Sequence, residues 1–175
     1  MDMYRTDFAD EKVLNKFIKS VELGIRHSPE YRMWVDYQKE SSGYFTCSLT
    51  GEKHGEVTVD LHHHPYPLFY IAKGYIKKCV SDLRSFCSFD IEHEIVDLHY
   101  QMKIPFVPLC RTMHEKYHTG FLFLPNEIVV GDKDYFYTMY SAHLDDEEVN
   151  KINANRAITF ANCGWTENQY QWCQR

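Results

Sequence analysis

Apolar positions along this chain fall into separate periodic blocks. From Asp10 to about Leu23, Val13, Leu14, Phe17, Ile18 and Val21 repeat at helical spacing on one face, and Gly24 supplies a stop. Ser28-Pro29-Glu30 then reads as an N-cap, a first-turn proline and an early acid. Tyr31, Trp34, Val35 and Gln38 continue that second helix, which Ser41-Ser42-Gly43 closes. Strand formers in Tyr44-Phe45-Thr46-Cys47, a turn at Thr50-Gly51 and the alternation of Glu56 to Leu61 predict a two-stranded ribbon.

Beyond Pro67, Leu68, Ile71, Ala72, Tyr75, Ile76, Cys79 and Val80 recur at helical spacing, and a further helix is predicted over Asp90 to Tyr100. Pro105 and Pro108 bracket an extended Phe106-Val107. A short helix carries Thr112 to His118 and ends at Gly120. Phe121 to Leu124 reads as a buried strand or loop. Tyr135 to His143 and Asp145 to Asn153 are predicted helices, and the polar tail from Asn162 to Arg175 is disordered or packs as a flap. The expected class is α+β and mostly helical.

With 175 residues, 44% of them hydrophobic, the chain can bury a real core. No apolar run approaches the roughly 20 residues that span a bilayer. The first residues lack the basic-then-apolar plan of a secretory leader. These features predict a soluble protein of the cytoplasm, with no membrane partner, in which the six cysteines are reduced. The net charge of −6 runs against nucleic-acid binding, which favours basic surface.

Candidate chemistry lies in two histidine clusters, Leu61-His62-His63-His64-Pro65 and His114-Glu115-Lys116-Tyr117-His118. His114 and His118, four apart on a helix, share one face and can reach one ion. A third ligand from a strand end would complete an open site of the kind a catalytic metal requires. Neighbouring strand residues point to opposite sides, so one of His62 and His63 binds and the other does something else. Asp60 and Glu115 are close enough in sequence to orient a ligand imidazole.

In this order the clusters resemble the HNH, or His-Me finger, endonucleases. Cys47-Ser48-Leu49-Thr50-Gly51 stands at the first knuckle, Asp60-Leu61-His62-His63 at the strand end, and Val107-Pro108-Leu109-Cys110-Arg111-Thr112-Met113-His114 at the helix start. The resemblance covers about Tyr44 to Gly120. It implies a small ββα-metal finger, a two-stranded ribbon plus a metal-binding helix, spanning residues 44–124 with a helical insertion at 66–103. A helical appendage (1–43) precedes it and a helical extension and tail (125–175) follow. It also implies that His62, His114 and His118 hold one divalent metal ion (Mg, Mn, Ni or Zn) and that His63 is the general base. A second frame, with His63 as ligand and His64 as base, stays open. The implied activity is metal-dependent hydrolysis of phosphodiester bonds, with DNA the expected partner and nicking a variant of it. Arg111, Lys116, Lys77 and Lys78 are candidate phosphate contacts.

The departures are specific. Thr50 and Met113 stand where the family has its second knuckle cysteines, and Pro105 stands where it has an asparagine. His99 is the candidate to replace that asparagine, orienting the base or binding the metal; the competing reading is a core histidine. The alternative function is a degenerate module that kept the finger, lost catalysis and binds nucleic acid or a host protein. A purely structural zinc module is a third class. The phrases His62-His63-His64-Pro65-Tyr66-Pro67-Leu68, Leu98-His99-Tyr100 and Tyr117-His118-Thr119-Gly120 also resemble HNH-like proteins of large tailed bacteriophages, which implies phage origin.

Overall fold

A computed structural model describes residues 8, 10–41 and 45–164. Among them are seven α-helices: α1 (Glu11–His27), α2 (Pro29–Ser41), α3 (Leu68–Ser81), α4 (Ser88–Tyr100), α5 (Arg111–His118), α6 (Tyr135–Tyr140) and α7 (Asp146–Arg156). Two strands, β1 (Val59–His63) and β2 (Phe106–Cys110), form the sheet. The class is therefore mixed α+β and mostly helical. No described helix is long and apolar enough to cross a membrane. The part of the predicted tail from residue 165 onward lies outside the described residues.

Helix α1 is set by its own pattern. Leu14, Ile18, Val21 and Ile25 are buried along one stripe, and Asp10 caps the start by accepting from the Lys12 N–H at 2.8 Å. The helix continues past Gly24, the expected stop, to His27. Gly24 instead marks a close approach: the carboxylate of Glu92 on α4 fills the space where a Cβ would project. α1 packs on α3 and α4, and α2 packs on α1 and α4. With α6 and α7 these helices enclose the larger core, which includes Ile18, Trp34, Tyr66, Ile71, Ile76, Ile91, Ile95 and Phe136. At Gly74 of α3 a Cβ would lie 3.0 Å from the Cβ of Tyr140, so the absent side chain lets α3 close on α6.

One lysine crosses into this core. Lys73 is 3% exposed and donates to Asp145 and Glu148 at 2.7 Å each. Burial alone would lower its pKa, but the two carboxylates outweigh that and hold it above the ordinary lysine value.

The ribbon is not the predicted one. β1 pairs antiparallel with β2, in the register Val59↔Cys110 through His63↔Phe106. The segment before it makes only the isolated bridges Thr46↔Lys53 and His54↔Val57. The pairing partner thus lies beyond α3 and α4, because the fully buried β2 offers more apolar contact than the half-buried Phe45 and Thr46 of the expected strand. Val59, Val107, Leu109, Cys47, Leu49, Leu122 and Leu124 form a second, smaller core beneath this sheet. α5 starts directly at the end of β2 and packs against both strands.

Candidate metal centre

Strand alternation decides where the triple histidine points. His63 is buried on the helical side of β1, while His62 is half-buried on the other side. α5 presents His114 and His118 one turn apart on the face toward β1. His114 Nε2 lies 3.0 Å from His62 Nδ1, and His118 Nε2 lies 3.2 Å from His114 Nε2. One ring nitrogen from each of the three lies within 4.8 Å of the others, the metal-ligating group found among the described residues. Imidazole nitrogens around a tetrahedral zinc, each about 2.0–2.1 Å from it, would stand roughly 3.3 Å apart. The donor set and its spacing fit such an ion.

Burial and neighbouring charges favour the neutral form of His62 and His114, whose lone pairs are then available. Burial, then the neighbouring His114, His64, His118 and Arg26, pushes His62 down to about 2. Burial and His118 lower His114 as well, against the opposing charges of Asp60 and Glu115. The ring of Tyr117 packs edge-on to His62 with centroids 4.7 Å apart, and its hydroxyl lies 3.4 Å from His64 Nδ1.

His63 and His99 make a separate pair. Their Nε2 atoms are 2.9 Å apart, and His99 Nδ1 is 2.7 Å from the Ile95 carbonyl. Both imidazoles are enclosed by Tyr31, which stacks on His63 and meets His99 edge-on, while Trp34 packs edge-on to His99. The structure therefore brings His62, His114 and His118 together and places His63 with His99 on the core side of the strand.

The four candidate phosphate contacts are dispersed. Arg111 pairs with Glu115 at 3.0 Å, Lys77 with Asp145 at 3.0 Å and Lys78 with Asp82 at 2.7 Å, and Lys116 is exposed on α5. None of the four lines the cleft beside the histidines. That cleft, of about 700 Å³, is bounded by Glu22, Arg26, Lys39, Asp60, Tyr31 and Tyr117 together with the three imidazoles, and His63 reaches its wall. Sequence reasoning missed Arg26, Lys39 and Tyr117. Only Tyr117 left a signal, three residues after His114 and one before His118 on the same short helix. At the two knuckle positions Cys47 and Cys110 are buried free thiols in contact with each other, and Thr50 donates to the Cys110 sulfur at 3.9 Å.

No curated protein and no solved structure matches the chain. A family profile described as "Bacteriophage G278-like virion protein" does, over residues 1–163. This finding corrects the HNH endonuclease assignment and the phosphodiester hydrolase activity for which His63 was the expected general base and His99 its expected orienting partner. The physical reason is that two helix imidazoles facing a strand end make a metal-binding geometry whatever chemistry follows. The family's further parts are replaced here by Thr50, Met113 and Pro105. The phage origin stands, and the chain belongs to the bacteriophage G278-like virion protein family.

Proposed function

We propose that this protein is a structural component of the phage particle in which β1, β2 and α5 work as a metal finger. In this reading His62, His114 and His118 hold one divalent transition metal that ties the helix to the strand end. The observation that carries it is the convergence of three ring nitrogens within 4.8 Å, contributed by stretches of chain about fifty residues apart. An all-imidazole donor set favours zinc or nickel over magnesium, which prefers oxygen ligands.

The helix gives the ion a purpose. α5 has eight residues and none is fully buried; Met113 and Tyr117 only lean on the smaller core. A helix this short is marginal without tertiary anchoring. A metal bridging His62 to His114 and His118 supplies that anchor and fixes the surface that α5 presents. The neighbour favoured for that surface is protein rather than DNA, because a net charge of −6 opposes a polyanion.

Metal analysis of the purified full chain tests the reading. One zinc or nickel per chain is expected, released by chelator and lost in His114→Ala. A wild-type chain that retains no metal after exposure to excess zinc rules the finger out. Mass spectrometry of purified particles should find the chain at a fixed copy number, and its absence there rules out the structural role.

A further inference from the structure

We propose that the fourth coordination position of the His62–His114–His118 metal is filled by a carboxylate from an acidic side chain of a neighbouring polypeptide. This rests on the metal finger proposed above and specifies the ligand that completes it.

Charge accounting around the site leads to an anion. Three imidazoles are neutral donors, so a bound divalent ion keeps both its charges. The side walls of the cleft carry Arg26 and Lys39 against Glu22 and Asp60, which cancel. The ion is then the unbalanced charge. The three histidines are the metal-ligating group among the described residues, and Asp60, although it lines the cleft, is outside it. A tetrahedral ion therefore presents one position to be filled from outside.

The walls select the kind of anion. Arg26 places one guanidinium nitrogen 3.0 Å from Glu22. A guanidinium has five N–H donors, which leaves others for an incoming oxygen. A carboxylate has two oxygens, so it can serve the ion with one and a cation of the wall with the other. A nucleic-acid backbone would bring successive phosphates along a cleft whose wall charges cancel, so only the ion would attract it, on a chain already at −6. The volume points to a polypeptide source: about 700 Å³ is far more than a lone small acid fills and accommodates a short stretch of peptide around one acidic side chain.

Cobalt(II) in place of zinc makes the coordination sphere visible. The full chain loaded with cobalt is expected to show the absorption of a tetrahedral ion. Titration with a blocked Ala-Glu-Ala tripeptide should shift that spectrum saturably, and the Ala-Gln-Ala analogue should not. Arg26→Gln should weaken the tripeptide about tenfold, the size expected of one lost charge-assisted contact, without weakening cobalt binding. Lys39→Gln provides the same reading if Arg26→Gln fails to fold. Cobalt bound with a spectrum indifferent to the tripeptide overturns this proposal while the metal finger stands. A response to acetate but not to the tripeptide overturns the polypeptide source. A response to inorganic phosphate at lower concentration than to the tripeptide overturns the carboxylate. No cobalt spectrum at all overturns the finger, and this inference with it.

Discussion

His63 donates its Nε2–H to the bare Nε2 of His99 across 2.9 Å. The direction follows from the far side of the second ring. His99 Nδ1 faces the Ile95 carbonyl, which can only accept, so that nitrogen carries the proton. Burial holds His99 down at about 4, so near neutrality the ring is uncharged and its Nε2 is an acceptor. The pair is a hydrogen-bonded link between β1 and α4 inside an aromatic box.

Replacing one partner should therefore hurt more than replacing both. His99→Phe leaves the His63 N–H buried without an acceptor, and a loss of about 1–3 kcal/mol is expected. The double variant His63→Leu/His99→Phe should recover part of that loss. Urea unfolding monitored by circular dichroism measures both, and equal losses in the single and double variants would show that the bond contributes nothing.

The same pair makes stability depend on pH. His99 has a folded pKa of about 4, below the ordinary value of 6.5. Between those values the unfolded chain takes up a proton that the folded chain refuses. Stability is thus complete above about pH 6.5, falls as pH drops toward 4, and levels off below that. The contribution of this one ring is on the order of 3 kcal/mol. Unfolding free energies at pH 7 and pH 4.5, with chelator present throughout, should differ less in His99→Phe than in the wild type.

Metal should stabilise the fold by mass action. Zinc at a hundred times its dissociation constant is worth about 2.7 kcal/mol, or roughly 5–10 °C in the melting temperature of a domain of this size. His118 is exposed on α5, so His118→Ala should leave the metal-free chain within about 0.5 kcal/mol of wild type. It should nevertheless abolish the zinc-induced rise. Differential scanning calorimetry with and without zinc separates the two effects, and a persisting rise in the variant would remove His118 from the ligand set.

The thiols should react in order of their surroundings. Cys47 and Cys110 are buried against each other, which shields both from reagent, and burial also pushes the Cys110 thiol up. Among the cysteines of the described residues, Cys87, half-exposed at the start of α4, should be alkylated first by iodoacetamide. Peptide mapping after a short native pulse reads the order, and early labelling of Cys47 would contradict the packing of the smaller core.

Much of the helical scaffold was legible because its signals are local. The periodicity that predicted helices after Pro67 and from Asp90 gave α3 and α4, and Pro29 opens α2 as its N-terminal position implies. The strand partner of β1 was not legible. Alternation marks a strand's two faces but not what lies beside it, and here α3 and α4 intervene before β2. Phe121 to Leu124 was only half legible: Leu122 and Leu124 are buried, but Phe121 is 85% exposed. At the candidate centre, the spacing of His114 and His118 and the strand-end position of His62 carried the proximity. They did not carry the chemistry, since the same three imidazoles serve a nuclease or a structural ion equally well. Arg26 was invisible because its place on the cleft depends on how α1 crosses the molecule.

The register of β1 has a consequence of its own. His62 and His63 are adjacent on a strand, so one peptide unit separates the ligand side from the helical interior. Sliding β1 by a single position along β2 would exchange the two rings, turning His63 outward and driving His62 toward the rings of Tyr31 and His99. The ladder from Val59↔Cys110 to His63↔Phe106 thus acts as a ratchet tooth. It couples the outward ring of His62 to the inward ring of His63, so that neither can shift without the other.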